Sequence, residues 1–502
     1  MEILKRIKSQ RGSGSVINMF VFRRVMLYLG LIALLLLGLS LFSACSEKPA
    51  PGARTQISAP VTKQPGTEPD MGKADMEQPE TKQPDQIETK QTVPDPVECD
   101  YFLEGGIIVD GSGDPPYPGN LAIKGDEIVA LGDCRPAPGA KIIAVPDLIV
   151  APGFIDIHTH TEDYWAAKGD GLMILTQGIT THITGNCGTS VNDISGFLLR
   201  ADHKAINVGI LSGYKNLRRL FVADNKKVSP DILEKMKKRL NAQITAGSFG
   251  LSLGLSYYPQ NQAGFDELVD LAQIVKDRNG FLAVHIRDEY GGVLAAFDEI
   301  VNISKKTGVS LQYSHIKVAG PSNWNKMDEI LAKLDQAKDS GIDISSDVYG
   351  YTWSSWDYGT KQESLAEENV IKAIKDPLVM IASDSGLSAR GIAQHPRAYA
   401  NNIRILAHYV RDQKELSLEE AIRKMTSLPA SRLRLDDRGL LAAGKKADIA
   451  VFSLADLQEK ATRLDPNQVC QGISYVFVNG GLSLDQGKLT GINSGRALRK
   501  PK

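Results

Sequence analysis

The sequence predicts an α/β fold: a (β/α)8 TIM-like barrel flanked by a small β-sandwich that is built from both ends of the folded part. Three observations support this prediction. Between residues 154 and 432, eight short apolar segments alternate with amphipathic segments, as parallel strands alternate with crossover helices. Residues 99–153 alternate β-branched runs with Gly, Pro and Asp turns. Strand-like segments then return within residues 433–502.

The composition narrows the classes of function. The 502 residues carry 58 Lys and Arg against 59 Asp and Glu, whereas a nucleic-acid-binding protein would show a basic excess. The hydrophobic content of 42% is ordinary for a globular protein. The five cysteines include no CxxC pair, which argues against a zinc finger. Cys99 and Cys134 could pair as a disulfide in an oxidising compartment.

Residues 1–45 are predicted to be an export signal that ends in a lipobox. Two arginines precede an apolar run that ends in LFSAC, which is the layout of a secretory signal. The ending resembles the lipobox of bacterial lipoproteins, which implies cleavage before Cys45, lipidation of its thiol and a location at the cell envelope. An uncleaved transmembrane helix is the alternative, because the run is long enough to span a bilayer. Residues 46–98 are polar and Pro-rich, and predict a disordered tether.

The eight predicted barrel strands follow in chain order, with a helical segment after each. They are residues 154–158, 181–185, 207–211, 250–255, 281–286, 309–316, 343–349 and 379–384. Two helix starts carry clear signals. Ser229 and Pro230 supply a cap and a proline at the first helical position. Ser417 and Glu420 form a capping box.

His158 and His160 end the first predicted strand, in the segment PGFIDIHTH. Alternate residues of a strand point to the same face, so both imidazoles project together if the strand continues through residue 160. The carboxyl ends of barrel strands form the active-site rim. Two imidazoles at such an end therefore predict a metal site suited to zinc, with two surface histidines as the alternative.

Four further potential ligands end other predicted strands: Cys187, His285, His315 and Asp384. Taken singly, each has an ordinary interpretation as a buried inert thiol, a core histidine or a helix N-cap aspartate. Taken together with the histidine pair, they favour a shared metal site at one mouth of the barrel. Three other histidines lack this placement and are not predicted to be ligands: His182, His203 and His408.

These residues lie in segments through which the chain from about residue 103 to 502 resembles the amidohydrolase superfamily. Within it, the chain resembles the N-acyl-D-amino-acid deacylase (D-aminoacylase) family. The matching segments include PGFIDIHTH, TGNCG, GLSLGLSYYP, HIRDE, SHIKVAG, HPR and DRGLLAAGKKADIAVF. The resemblance implies a zinc-dependent hydrolase that cleaves the linear amide bond of an N-acyl-D-amino acid, or of a short peptide with a D-residue, and releases a carboxylate and a free amine.

The resemblance also implies roles for the predicted ligands. One zinc ion would be bound tightly by Cys187, His285 and His315. A second, weaker site would be lined by His158, His160 and Asp384. Asp384 would also be the general acid and base, which takes a proton from water and passes it to the departing nitrogen.

On the substrate side, Lys317 and Arg397 match residues that receive the substrate carboxylate in that family, and Tyr349 matches the tyrosine of its DxYPY segment. The chain departs from the pattern at Gly350, which replaces the proline, and at Tyr214, which replaces a histidine. A long lid that relatives insert before the eighth strand is largely absent. These departures leave hydrolysis as the expectation and the identity of the substrate open.

Three other functions remain open from the sequence. A dipeptidase acting on L-Xaa-D-Xaa or peptidoglycan-derived peptides would use the same site with more room on the acyl side. A cyclic amidohydrolase such as a hydantoinase or dihydroorotase commonly uses a carbamylated Lys of the fourth strand, and GLSLGLS contains none. An inactive, envelope-tethered binding protein would have lost ligands, yet all six are present.

Overall fold

The structure, a computed structural model, describes residues 94–501 except 168, 224–225 and 358–362. The predicted export signal, and the predicted tether up to residue 93, lie outside the described residues. The last part of the predicted tether is ordered, because Pro96–Val97 pairs in parallel with Arg135–Pro136. No helix within the described ranges is both long and apolar enough to span a bilayer.

The strands are numbered in chain order. They are β1 Pro96–Val97, β2 Tyr101–Ile108, β3 Tyr117–Lys124, β4 Glu127–Gly132, β5 Arg135–Pro136, β6 Lys141–Ala144, β7 Ile149–Pro152, β8 Phe154–Asp156, β9 Thr159–His160, β10 Ile179–Thr184, β11 Asn207–Ile210, β12 Ser212–Gly213, β13 Gly250–Gly254, β14 Phe281–His285, β15 Ser310–Tyr313, β16 Ile344–Val348, β17 Val379–Ile381, β18 Ser385–Gly386, β19 Ile449–Phe452, β20 Ile473–Val478, β21 Gly481–Asp485 and β22 Lys488–Leu489.

The α-helices are numbered in the same way. They are α1 Glu162–Ala166, α2 Leu172–Leu175, α3 Ile194–Ala201, α4 Tyr214–Arg219, α5 Pro230–Thr245, α6 Phe265–Asp277, α7 Val293–Thr307, α8 Met327–Asp339, α9 Glu367–Lys375, α10 Arg397–Arg404, α11 Leu418–Met425 and α12 Ser427–Leu433. A π-helix, Ile405–Asp412, continues α10.

Parallel strands form the barrel region, and each of the eight predicted barrel segments overlaps one. Pairing joins β8, β10 and β11 in one arc and β12 through β17 in a second. The pair β18 and β9 connects the eighth strand position back to the first. In the described part of the chain the ladder is interrupted between these arcs and is not one unbroken closed barrel, but the strands follow the cyclic order of a (β/α)8 fold.

The first barrel strand is broken, so the condition that one strand continues through residue 160 is not met. β8 ends at Asp156, and β9 begins three residues later at Thr159. The reason is the Asp156 side chain, which accepts hydrogen bonds from backbone N–H groups in place of strand-to-strand pairing. Oδ1 of Asp156 accepts from the backbone N–H of His158 at 3.3 Å and from that of Ser383 at 3.0 Å.

The helix starts predicted from sequence are confirmed. Ser229 caps α5 by accepting from the N–H of Ile232 at 3.4 Å, with Pro230 as the first helical residue. Ser417 caps α11 by accepting from the N–H of Glu420 at 3.3 Å. The buried faces of the helices and the outer faces of the barrel strands share one apolar core, which holds the carboxyl ends of the strands in place.

Strands from both ends of the folded chain form a β-rich domain where the sequence predicted a small β-sandwich. They belong to a single mixed nine-stranded sheet, in which β19 pairs with β7 and so joins the C-terminal segment to the N-terminal one. One apolar cluster contains Ile128 from an edge strand and Leu482 from a strand near the opposite edge. The sheet therefore wraps around its own core.

Cys99 and Cys134 are free thiols, so the disulfide considered from the sequence is not formed in this structure. Both pack against the same small apolar cluster, with Phe102 and Ala122. Burial raises the pKa of each thiol above its usual range. Near neutral pH both are therefore protonated and unreactive.

Candidate metal centre

The six predicted ligands lie together at the carboxyl ends of the barrel strands. Their ligand atoms form two groups, each with all atoms within 4.8 Å of one another: Cys187, His285 and His315 in the inner group, and His158, His160, Cys187 and Asp384 in the outer group. Cys187 belongs to both groups. The six residues come from the ends of five separate strands, as expected when each strand of a barrel contributes to one rim.

Three of these residues have a left-handed backbone conformation. The angle φ is +49° at Cys187, +39° at His315 and +50° at Asp384. Each follows the end of its strand by two or three residues. A residue other than glycine in such a conformation costs about 1–3 kcal/mol and persists where the surrounding structure requires it, which is most often at functional sites. Three such strained residues at one rim therefore indicate that this rim is a functional site.

The inner group is buried and spaced for a metal ion. Sγ of Cys187 lies 4.0 Å from Nδ1 of His285 and 3.6 Å from Nε2 of His315, and these two nitrogens are 2.8 Å apart. Tetrahedral zinc with bonds of about 2.0–2.3 Å separates its ligand atoms by roughly 3.3–3.7 Å. The observed separations bracket this range, so one thiolate and two imidazoles fit a zinc ion.

The outer group extends from the same thiol. Nε2 of His158 lies 3.4 Å from Sγ of Cys187 and 3.4 Å from Oδ1 of Asp384, and Nε2 of His160 is 3.1 Å from the same oxygen. Burial raises the pKa of the Cys187 thiol, but His158 and His160 outweigh this effect and hold that pKa well below its usual range. The thiolate, which is the form that binds metals, is therefore favoured.

Asp384 is held ionised. Burial raises the pKa of its carboxyl group, but Arg397 and His158 outweigh burial and hold the pKa well below its usual range. Nη2 of Arg397 lies 2.8 Å from Oδ2 of Asp384. A carboxylate in this position can accept a proton next to the ligand atoms, which is the role that the resemblance implies.

Asp347 is a functional residue that sequence reasoning missed. Its Oδ1 accepts from Nδ1 of His158 at 2.9 Å and from the backbone N–H of His315 at 2.8 Å, and Gln312 donates to Oδ2 at 2.8 Å. A proton on Nδ1 leaves Nε2 of His158 as the ligand atom. The sequence could have indicated Asp347, because this residue lies near the end of the seventh predicted strand, in DVYGY.

Glu289 was also missed. This buried carboxylate lies 2.9 Å from Nζ of Lys317 and 3.2 Å from Nδ1 of His315 through Oε1, and 3.7 Å from Nε2 of His285 through Oε2. Burial raises the pKa of Glu289, but His285, Lys317 and His315 outweigh it and lower the pKa. Glu289 orients two ligands and one substrate-side cation. The sequence feature that could have indicated Glu289 is an acidic residue four positions after the histidine of HIRDE.

The predicted substrate-binding residues adjoin the ligands. The guanidinium carbon of Arg397 lies 4.6 Å from the centre of the Tyr349 ring, and Nζ of Lys317 lies 5.7 Å from it. Nη2 of Arg397 also donates to Oγ of Ser355 at 2.9 Å. Nε and Nη1 of Arg397 and the Tyr349 hydroxyl are buried without a hydrogen-bond partner among the described residues. Unpaired buried donors are costly, so they fit a bound anion.

A cavity of about 200 Å³, termed the reaction cavity, is lined by both metal ligands and predicted substrate-binding residues. Its wall includes the ligands His160 and His315, and also Asp384 and Arg397. A molecule in this cavity would therefore contact the metal ligands, a proton acceptor and unpaired cationic donors at once.

Comparison with known proteins identifies the family. Residues 149–482, more than half of the chain, match the amidohydrolase family. The chain belongs to the amidohydrolase family. A relative of this amidohydrolase, the N-acyl-D-glutamate deacylase of Alcaligenes xylosoxydans xylosoxydans, is 32% identical over 455 residues, which are 76% of this chain and 93% of that protein. The predicted family is confirmed.

Two solved structures are similar to this amidohydrolase. One is N-acyl-D-glutamate deacylase from Bordetella bronchiseptica, solved in complex with zinc and a phosphonate mimic of the tetrahedral intermediate. It is 29% identical to this chain, with a TM-score of 0.74, and the match covers 80% of this chain and 100% of that protein. A D-aminoacylase described as having a binuclear metal centre is 27% identical with a TM-score of 0.75 and the same coverage. The predicted fold class is confirmed by these likenesses.

Proposed function

We propose that this amidohydrolase is a zinc-dependent N-acyl-D-amino-acid deacylase, which hydrolyses the amide bond to a carboxylate and a free D-amino acid. The observation that carries the proposal is the pair of unpaired, buried donors of Arg397, which adjoin the metal ligands in the reaction cavity. An N-acyl amino acid presents an amide and a carboxylate in one molecule, which suits these two sets of groups. The D configuration is supported by three relatives: an N-acyl-D-glutamate deacylase, an N-acyl-D-aspartate deacylase and a D-aminoacylase.

The donor set fits zinc. A thiolate and two imidazoles are ligands that zinc prefers, and the outer group can hold a second ion through the shared Cys187. The Bordetella deacylase was solved with zinc, and the D-aminoacylase is described as binuclear. When bound, zinc supplies Lewis acidity, which makes water nucleophilic near neutral pH and polarises a carbonyl group.

The residues of the chain bind the substrate and move the proton. Arg397 receives the carboxylate through an unpaired donor, because a hydrogen bond from a guanidinium N–H to a carboxylate oxygen is strengthened by the charges of both groups. Glu289 holds the Lys317 ammonium in the cavity wall, where it adds a fixed positive charge. Asp384 takes a proton from the attacking water and delivers it to the departing nitrogen, a step worth about 10²–10⁴-fold in rate.

The first test is stereochemical. With the zinc-loaded full-length protein, we expect kcat/KM for N-acetyl-D-amino acids to exceed that for the L-enantiomers by about 100-fold, because only one enantiomer places its amide at the ligands while Arg397 holds its carboxylate. Release of the free amino acid is measured for matched D and L pairs with acidic and apolar side chains. Equal rates for both enantiomers, or no turnover by the zinc-loaded protein, would contradict the proposal.

The carboxylate contact has its own control within this experiment. Arg397→Gln should raise KM for free-acid substrates by roughly 10–100-fold, because a charge-assisted hydrogen bond contributes about 1.5–3 kcal/mol. Substrates capped as carboxamides lack the charge, so Arg397→Gln should raise their KM much less. If Arg397→Gln raises KM equally for both kinds of substrate, Arg397 does not receive the carboxylate.

We also propose that the protein is exported and held at the cell envelope by a lipid on Cys45. The support is the sequence alone: two arginines, an apolar run and LFSAC. In a bacterial host that processes lipoproteins, the wild-type protein should incorporate labelled fatty acid and sediment with membranes, whereas Cys45→Ser should remain unlabelled. An unlabelled wild-type protein, or a labelled Cys45→Ser variant, would refute the anchor.

A further inference from the structure

We propose that a second chamber beside the reaction cavity binds a peptidyl acyl group, so that preferred substrates carry a peptide on the nitrogen of the D-amino acid. This inference rests on the proposed deacylase function and names its acyl-side substrate class. The chamber is the cavity of about 580 Å³ whose wall includes Ser256, Tyr258, Arg287, Tyr290 and Ser364.

The chamber adjoins the reaction cavity, because both are lined by Tyr257, His285, Glu289, Lys317 and Ser354. Pockets that enclose a drug-sized ligand measure roughly 300–1,000 Å³. The reaction cavity, at about 200 Å³, is smaller than this range, and the chamber, at about 580 Å³, lies within it. The reaction cavity alone suits a small acyl group, whereas the chamber has room for a much larger one.

The positions of Asp384 and Arg397 determine which end of the substrate faces the chamber. Both residues line the reaction cavity and neither lines the chamber. Asp384 must reach the departing nitrogen and Arg397 the carboxylate, so the D-amino acid lies on their side. The acyl group, on the other side of the scissile bond, then points towards His285 and Tyr257, which also line the chamber.

The chamber wall suits a peptide better than an aliphatic chain. Tyr258 and Tyr290 are 44% and 51% exposed and present aromatic faces with polar tips. Oγ of Ser364 is buried without a hydrogen-bond partner among the described residues. An amide group of a peptidyl substrate can satisfy this hydroxyl, whereas an alkyl chain would leave it unpaired.

The backbone on both sides of Tyr290 is anchored, although half of the residue is exposed. Its backbone N–H donates to Oδ1 of Asp288 at 2.7 Å, and the N–H of Gly292 donates to Oδ2 at 3.1 Å. Its ring packs close to Gly320, where an added Cβ would lie 3.3 Å from Cδ1 of the ring. An exposed aromatic ring on an anchored backbone at the edge of a cavity offers a ligand a contact that needs no backbone ordering.

The test compares three acyl groups on one D-amino acid, with the zinc-loaded full-length protein. These are acetyl, N-acetyl-L-alanyl, and pentanoyl, which has the same chain length as the peptidyl group. We expect kcat/KM to be at least about tenfold higher for the peptidyl substrate than for the acetyl substrate, and lower for pentanoyl than for peptidyl. Tyr290→Ala should reduce the ratio of peptidyl to acetyl kcat/KM by about tenfold, because aromatic residues are enriched among the contacts that contribute most to binding.

Tyr117→Ala is the matched control, because Tyr117 is 36% exposed on β3, in the β-rich domain, and should leave the ratio unchanged. Three results would each overturn the peptidyl assignment. They are equal kcat/KM for the acetyl and peptidyl substrates, a peptidyl-to-acetyl ratio that Tyr290→Ala does not change, and a higher kcat/KM for pentanoyl than for peptidyl. If all three substrates are inert while zinc is bound, the deacylase proposal itself fails, so the two failures are distinguishable.

Discussion

Cys187→Ala is expected to lower kcat/KM by more than 100-fold and to release zinc from the protein. Cys187 is the only member common to both ligand groups of the described site, and its thiolate is the favoured form. Loss of a residue that merely orients a metal ligand costs about 10–100-fold in affinity or activity, so loss of a shared ligand should cost more. Zinc content after dialysis, measured together with kcat/KM, checks this expectation.

Two comparisons make this result specific. Cys470→Ala removes another buried cysteine, whose Sγ contacts the backbone oxygen of Tyr399, and should leave zinc content and activity unchanged. His160→Ala removes a ligand from the outer group only, so zinc in the inner group should remain. A Cys187→Ala protein with wild-type zinc content would refute the assigned centre.

Asp384→Asn is expected to lower kcat by about 10²–10⁴-fold while zinc remains in the inner group. The amide has nearly the shape of the carboxylate, but it cannot take a proton from water and pass it to the departing nitrogen. Asp384 belongs to the outer group alone, so the inner group keeps all its ligands. Steady-state kcat and zinc content are measured on the same preparation.

The control for this variant is Asp133→Asn, which makes the same chemical change at an exposed position of the β-rich domain and should leave kcat unchanged. Full activity of Asp384→Asn would refute the proton-transfer role. A loss of activity with a matching loss of inner-group zinc would instead assign Asp384 a structural role in the centre.

The candidate ligands could be predicted from the sequence because a barrel converts chain position into spatial position. Side chains at the carboxyl ends of parallel strands all reach one rim, so His158, Cys187, His285, His315 and Asp384 could be grouped without knowing any distance. The structure places their atoms within reach of one ion. The exact ends of the strands were less predictable, since β8 and β10 both stop before the ligand they position.

The residues that support the ligands could not be assigned in the same way. Asp347 and His158 are 189 positions apart, and their hydrogen bond depends on how the seventh strand packs against the first. Glu289 lies in a segment that was recognised, but its contacts with Lys317 and His315 depend on two loops meeting beyond β14 and β15. Their residue types alone are those of ordinary surface acids.

The sequence by itself determined the alternation of strands and helices, the six candidate ligands and the family, because periodicity and the residues at strand ends are local properties of the chain. Only the tertiary structure decided the break in the first barrel strand, the left-handed turns at three ligands, the Glu289–Lys317 pair and the chamber beside the reaction cavity. These features are distances between residues far apart in the chain, and packing of the whole core sets such distances.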